Sequence, residues 1–537
     1  MTATCVTYTY DANGNLTQRV DASGATTYTY DVQNRATAKT AGGTTTTVTY
    51  DGASNILTFT DPTGTVTYAY DAANLLVSLA EPGGSCPATP AFPNTTKCTG
   101  FEYDQNNRRT STSYPNGVKN TTAYDNAGRI TSITAAGTSV PLLAKRSYAY
   151  TSNAVNKEGA LRKTMTTEAT GDTTSTTTYS YDDRSRLTGA VNVTGAVTTT
   201  EAWLHDKNSN RTRATKGTDT AYSTYNGADQ LCWTAATNVS CTEPPTGATT
   251  YAYDANGNTT TAGTATSAFN IFDQNTSTTT GGATTNFTYA GLRNDERTGT
   301  STSAGSTSFL NGSLGITTQT TAGATTAFIR DPDGNLVSMR NSAGASFYYT
   351  TDALGSVILL TDSAQGRAAT YAYDSWGNTT ATGAQAAANP WQYAGGYKDA
   401  TGYTKFGARY YNPAAGRFTQ PDPSGQEQNR YAYAGANPIT NIDPTGLSFE
   451  DFLGGVIESG ITGVGGAILG LTKTSIPTFV LGAGLACVAG AIGGVVSARV
   501  DGDVPGWSDA GWGCATGLAT YTIGAAGGAA VKAAKAL

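Results

Sequence analysis

The chain has 537 residues, of which 13% are charged and 38% hydrophobic, with 63 Gly, 31 Tyr and a net charge of −6. So many aromatics with so little charge exclude a disordered chain and favour β-structure. The negative balance gives no electrostatic reason to expect a nucleic-acid partner, and seven cysteines, an odd number, exclude a dense disulfide framework.

The N-terminal stretch MTATCVTYTYDANGN enters a repeat at once, without the basic and apolar regions of a secretory signal, so none is expected in this chain. Over residues 1–80 a Tyr-Asp unit recurs, with Tyr10, Tyr30, Tyr50 and Tyr70 at a period of 20. Runs such as TYTY alternate Tyr with Thr, which at period 2 puts the rings on one sheet face and the hydroxyls on the other. DANGN and DASG supply the Asp, Asn and Gly that tight hairpins need at positive φ. Each unit therefore reads as a β-hairpin and the series as a long antiparallel meander. The unit returns less regularly at Tyr103/Asp104, Tyr124/Asp125, Tyr181/Asp182, Tyr253/Asp254 and Tyr373/Asp374. The insertions between these units are expected as edge loops. The recurrence of Tyr-Asp in every unit favours a scaffolding role over a local sugar-binding one.

Two cysteine pairs, Cys86/Cys98 and Cys232/Cys241, each flank a short insertion. They read either as local disulfides of an oxidising compartment or as pairs of reduced thiols. His205, the single histidine, is placed on a repeat-region loop as an ordinary polar residue. No nucleophile stands beside it, and no P-loop, dinucleotide fingerprint or metal-ligand cluster is found, so neither cofactor nor metal is indicated.

From about residue 300 the turns tighten. The segment from Phe328 to Gly383 is expected to hold three or four strands, and the following Trp391, Tyr393, Tyr397, Phe406, Tyr410 and Tyr411 to pack densely. Then comes RYYNPAAGRFTQPDPSGQEQNRYAYAGANPITNIDPTGL, from Arg409 to Leu447, in which Arg409 stands 13 before Asp422 and Asp443 four before Leu447. Hydrolysis by carboxylates takes two of them, one activating water while the other protonates the leaving group. Asp422 and Asp443 are each followed by Pro, and Arg409 is suited to hold the loop or to lower the pKa of one carboxylate. The plain alternative is that both aspartates only open turns, as Asp-Pro at Asp61 and Asp331 does.

The pieces GARYYNPAAGRF, PDPSG, NRYAYAGANPIT and DPTGL resemble the closing segment of the Rhs-repeat core domain, the family of polymorphic toxin shells and toxin-complex C subunits. The Tyr-Asp units resemble the YD repeats of the same family, so the resemblance covers about residues 1–447. It implies a mainly-β fold in which the sheet spirals into a hollow shell, with repeats over 1–300 and a core-associated domain over 301–447 whose aromatics plug one end. It also implies an aspartyl self-cleavage between Leu447 and Ser448 that uses Asp422, Asp443 and Arg409.

Beyond Leu447 the composition turns to Gly, Ala and branched aliphatics. Ser475 to Ala498 passes 24 residues without a charge, enough to cross a bilayer as a helix. The pairs Gly466/Gly470 and Gly490/Gly494 would let helices approach closely. Residues 448–537 are therefore expected as a Gly/Ala-rich helical tail, in the place where the family carries its variable toxin. In this reading the shell's partners are its own tail as cargo, an immunity protein, and a membrane reached through 475–498. The rival expectation is a non-enzymatic surface protein whose repeats bind carbohydrate and whose tail anchors it to a membrane.

Overall fold

The computed structural model describes residues 6–150, 159–447 and, for the backbone alone, 450–451. All of them fall in the first of two compact units, 1–465, and the second, 466–537, lies outside the described residues. The helical tail and the span 475–498 expected from the sequence therefore lie outside them too. Among the described residues no helix is long and apolar enough to cross a membrane.

Thirty-four strands form one sheet, each antiparallel to its predecessor, as in the series Thr7–Tyr10, Leu16–Asp21, Gly24–Tyr30 and Ala36–Ala41. One turn recurs at alternate strand connections. Asp11 Oδ1 accepts the backbone N–H groups of Asn13 at 2.9 Å and Asn15 at 2.8 Å, and Asp11 Oδ2 takes the Asn15 side chain at 2.9 Å. Asp182 does the same for the amides of Arg184 and Arg186, both at 3.0 Å, and for the Arg186 guanidinium at 2.8 Å. A short carboxylate thus satisfies turn amides that no strand partner could reach. The residue three after each Asp adopts positive φ, +83° at Gly14 and +60° at Asn34, which is why Gly and Asn recur there.

The tyrosine before each Asp has a separate duty. The Tyr30, Tyr50 and Tyr70 hydroxyls each donate at 2.9 Å to the carbonyls of Leu16, Ala36 and Ile56, the fifth residue after the preceding Asp. Where an insertion lengthens the repeat the partner is unchanged in kind, since Tyr103 reaches Leu76 at 3.0 Å across the Cys86–Cys98 loop. A β-bulge just before these tyrosines, between Thr29 and Tyr30 for instance, turns the ring toward the earlier strand. The Thr face carries cross-strand hydroxyl pairs, Thr49–Thr58 at 2.6 Å and Thr60–Thr65 at 2.9 Å.

The apolar face is buried by a second stretch of the same ribbon. Val48, Phe59, Tyr68, Leu79, Phe101 and Tyr114 share one core with Leu314, Ile329, Val337, Tyr348 and Leu359. Polar bonds join the two stretches. Tyr68 Oη donates to Arg330 O at 2.8 Å, Arg109 pairs with Asp331 at 2.9 Å, and buried Glu81 accepts from Ser338 Oγ at 2.5 Å and Ser346 Oγ at 2.6 Å.

Two details differ from the sequence expectation, and for the cysteines one of the two open readings holds. Phe328–Gly383 contains not three or four strands but parts of six, from Ala324–Arg330 through Thr379–Thr382, because strands of four to seven residues suffice between such tight turns. His205 is not in a loop: it ends the strand Val197–His205. Burial first, and then Arg186 and Arg211, pull its imidazole down to about 4, so it is neutral at physiological pH. Both cysteine pairs are joined as disulfides, Cys86–Cys98 and Cys232–Cys241.

If the Asp carboxylate holds each turn, Asp182→Ala should cost about 1–3 kcal/mol through its stranded amides. Hydrogen exchange at residues 184–186 should then accelerate, while Asp182→Asn, which keeps an acceptor, should change it far less. Unchanged exchange in the alanine variant would refute this account of the turn.

Candidate functional site

The chain leaves the long sheet after Thr382 and forms a small four-stranded sheet, Tyr397–Lys398, Thr404–Phe406, Arg409–Asn412 and Arg417–Phe418. The six aromatics expected to pack densely are all buried. Rings stack around Tyr433, with Tyr411 at 4.3 Å and Phe406 at 5.3 Å between centroids. This sheet docks on the ribbon through polar bonds. Arg297 donates to both oxygens of Asp399 at 2.8 and 2.7 Å, Tyr289 and Tyr410 share a hydroxyl bond at 2.9 Å, and Asn429 Nδ2 donates to Asn210 Oδ1 at 2.7 Å.

Onto its edge returns the loop Asp443–Leu447. Ala408 N donates to Thr445 O at 2.8 Å, and Gly446, at φ +65°, sits so close that a Cβ there would fall 2.5 Å from Phe406 O. Only glycine fits that approach. Arg409, 1% exposed, spans the gap beneath. Its Nε donates to Gly446 O at 2.6 Å, Nη1 to Arg430 O at 3.1 Å, and Nη2 pairs with Asp443 Oδ2 at 2.9 Å, while the guanidinium lies 3.7 Å over the Phe418 ring. Burial lowers the guanidinium's pKa, and Asp443 and then Asp422 act against that fall. The planar fork suits this triple duty, which a lysine could not fill.

The three residues singled out from the sequence therefore meet at one place. Asp443 Oδ1 accepts Leu447 N–H at 3.2 Å and the Thr445 hydroxyl at 3.3 Å. Asp422, fully buried, donates its own N–H to Arg430 O at 2.7 Å, and its carboxylate accepts the amides of Ser424 at 2.9 Å and Gln426 at 3.1 Å. Ser424 was not singled out from the sequence. Its hydroxyl lies 2.8 and 2.7 Å from the two Asp422 oxygens and 2.8 Å from Leu447 O. Leu447 is thus held at both ends of its peptide units, the amide by Asp443 and the carbonyl by Ser424 on Asp422. The sequence signal for Ser424 was only its place two after Asp422, a common turn position. Ser448 lies outside the described residues. Among those described, no group of His, Cys, Asp and Glu is placed to hold a metal ion. Asp61 and Asp331 remain turn residues: Asp61 caps Thr63 N–H at 2.8 Å, and Asp331 caps Asn335 N–H at 2.9 Å.

A ribbon of Tyr-Asp hairpins that ends in a small aromatic sheet, with Arg409 clamped on Asp443, defines a repeat-built β-protein. The teneurin YD-shell profile matches residues 154–440, and RHS repeats match 10–46 and 50–85. The chain belongs to the YD-shell family. It is 32% identical over 210 residues to the tRNA3(Ser)-specific nuclease WapA of Bacillus spizizenii, covering 36% of this chain and 9% of that protein. It is 34% identical over 140 residues to the double-stranded DNA deaminase toxin A of Burkholderia cenocepacia, covering 25% of this chain and 10% of that one. The fold resembles the crystal structure of TcdB2-TccC3-TEV with a TM-score of 0.66 and 17% identity, over 82% of this chain and 25% of the other. The chain thus spans a tenth or less of the two curated relatives.

Lys405 lies beside this site, in the strand Thr404–Phe406, with its ammonium donating to Gly407 O. Burial and the neighbouring Arg297 pull it down to about 7, against Asp295 and Asp399. Above that value it is neutral in the fold, whereas in the unfolded chain it keeps its proton to about pH 10. Between the two the unfolded state binds the extra proton, so stability rises with pH across that window and the contribution is lost as pH falls through about 7. Lys405→Met should remove this rise from the denaturation midpoint measured between pH 7 and 10. An unaltered pH profile would refute the effect.

Proposed function

We propose that residues 1–447 form a self-processing shell, with repeats over 1–300 and a core-associated domain over 301–447, that encloses residues 448–537 as cargo. The shell frees the cargo by hydrolysing the Leu447–Ser448 bond. The observation that carries this reading is the grip on Leu447: Asp443 on its amide and Ser424 with Asp422 on its carbonyl. In an aspartyl mechanism one carboxylate takes a proton from the attacking water and the other gives one to the departing amine. Arg409 keeps the loop and Asp443 in register, so the bond is presented in one geometry. The toxin and nuclease names of the relatives support release of a toxic tail, with an immunity protein as its partner and export from the cell as its setting. The apolar stretch 475–498 favours a membrane as the tail's target. The glycan-binding rival is weakened by the repeat tyrosines, whose hydroxyls are spent on the preceding strand.

Intact mass of the purified chain tests the reading. Wild type should yield fragments 1–447 and 448–537. Asp422→Asn and Asp443→Asn, which keep shape but not acid–base capacity, should slow cleavage by about 10²–10⁴-fold. A wild-type chain that stays whole would return Arg409, Asp422 and Asp443 to structural roles and favour the adhesion reading.

A further inference from the structure

We infer that Ser424 is a catalytic residue of this cleavage, the hydroxyl that couples the protonation of Asp422 to the Leu447 carbonyl. This rests on the self-cleavage reading above. Ser424 Oγ stands 2.8 Å from Leu447 O, the oxygen that becomes negative when water adds to the carbonyl carbon, and 2.8 and 2.7 Å from the Asp422 oxygens. Ser424 N–H is also fixed on Asp422 Oδ1 at 2.9 Å, so the hydroxyl is tethered at both ends of its own residue.

A serine hydroxyl has one hydrogen and here faces two acceptors. With Asp422 ionised, that hydrogen is shared between the carboxylate and the Leu447 carbonyl. Attack changes this. Water's oxygen forms the bond to Leu447 C, its proton passes to Asp422, and the resulting carboxyl O–H donates to Ser424 Oγ. The Ser424 hydrogen then turns to the oxyanion on Leu447 O. On collapse the C–N bond to Ser448 breaks, the new amine takes its proton from the second carboxylate of the pair, Asp443, and the proton held by Asp422 then restores the one Asp443 gave up. No proton is lost or borrowed, and the oxyanion gains its donor at the step in which it forms, the condition under which such a donor accelerates reaction.

Ser424 is exposed, and Ser424→Ala removes only its hydroxyl oxygen while keeping the backbone N–H on Asp422. The full chain would be made in a cell-free translation, pulsed and chased, and the appearance of fragment 448–537 timed for wild type, Ser424→Ala and Ser424→Thr. Ser424→Ala should slow cleavage by about 10²-fold, as removal of one oxyanion donor does. Ser424→Thr, which restores a hydroxyl, should recover most of the rate, with the same thermal midpoint in all three. Cleavage of Ser424→Ala at the wild-type rate would overturn the role of Ser424 while leaving the aspartates' role standing. Equal slowing in Ser424→Ala and Ser424→Thr would also overturn it, since a hydroxyl would then not be what matters. If wild type itself does not cleave, the parent reading falls and this one with it.

Discussion

The ribbon's repeat depends on one hydrogen-bonded turn, used at alternate strand connections, in which an Asp or Asn side-chain oxygen takes two backbone amides. That turn brings every second strand back antiparallel within five residues, as from Asp182 to Arg186. It leaves the tyrosine before it aimed at the preceding strand. Because the tyrosine's partner is set by distance from the previous Asp rather than by repeat length, insertions are tolerated without loss of register. The Cys86–Cys98 loop lengthens one unit and still Tyr103 finds Leu76. Each repeat is thereby locked to its neighbour by a bond outside the strand ladder, and stability accumulates along the chain in the manner of repeat proteins.

The apolar face cannot be buried by the ribbon's neighbours in sequence, since a single sheet leaves one face to solvent. It is covered by a distant stretch of the same ribbon, and the match is secured by polar groups buried at the contact. Glu81 is an example: burial raises its pKa, while the Ser338 and Ser346 hydroxyls and the charges of Arg340 and Lys97 act against that rise. The terminal aromatic sheet then sits on the ribbon through Arg297–Asp399 and Tyr289–Tyr410. A firm platform of this kind is what the closing loop needs, because Arg409 can hold Asp443 and Gly446 only if Phe418 and its neighbours hold Arg409.

Much of this was legible in the chain itself. The period of 20 and the Tyr-Thr alternation set strand, turn and face for residues 7–80, and the spacing of Arg409, Asp422 and Asp443 marked the closing block. Some features carried no signal. The six short strands of the Phe328–Gly383 segment were undercounted because its turns leave few residues for alternation to show. His205 was set in a loop because the polar residues after it mask a strand end.

The amino-acid sequence by itself determined the local geometry, because each hairpin's hydrogen bonds are made within about twenty residues and are chosen by Asp, Asn, Gly and Tyr at set offsets. Only the tertiary structure decided which stretches of ribbon meet, and that Ser424, 23 residues from Leu447, touches its carbonyl. Such contacts depend on how the sheet's small twist per strand adds up over the whole ribbon, a sum that no local pattern of residues records.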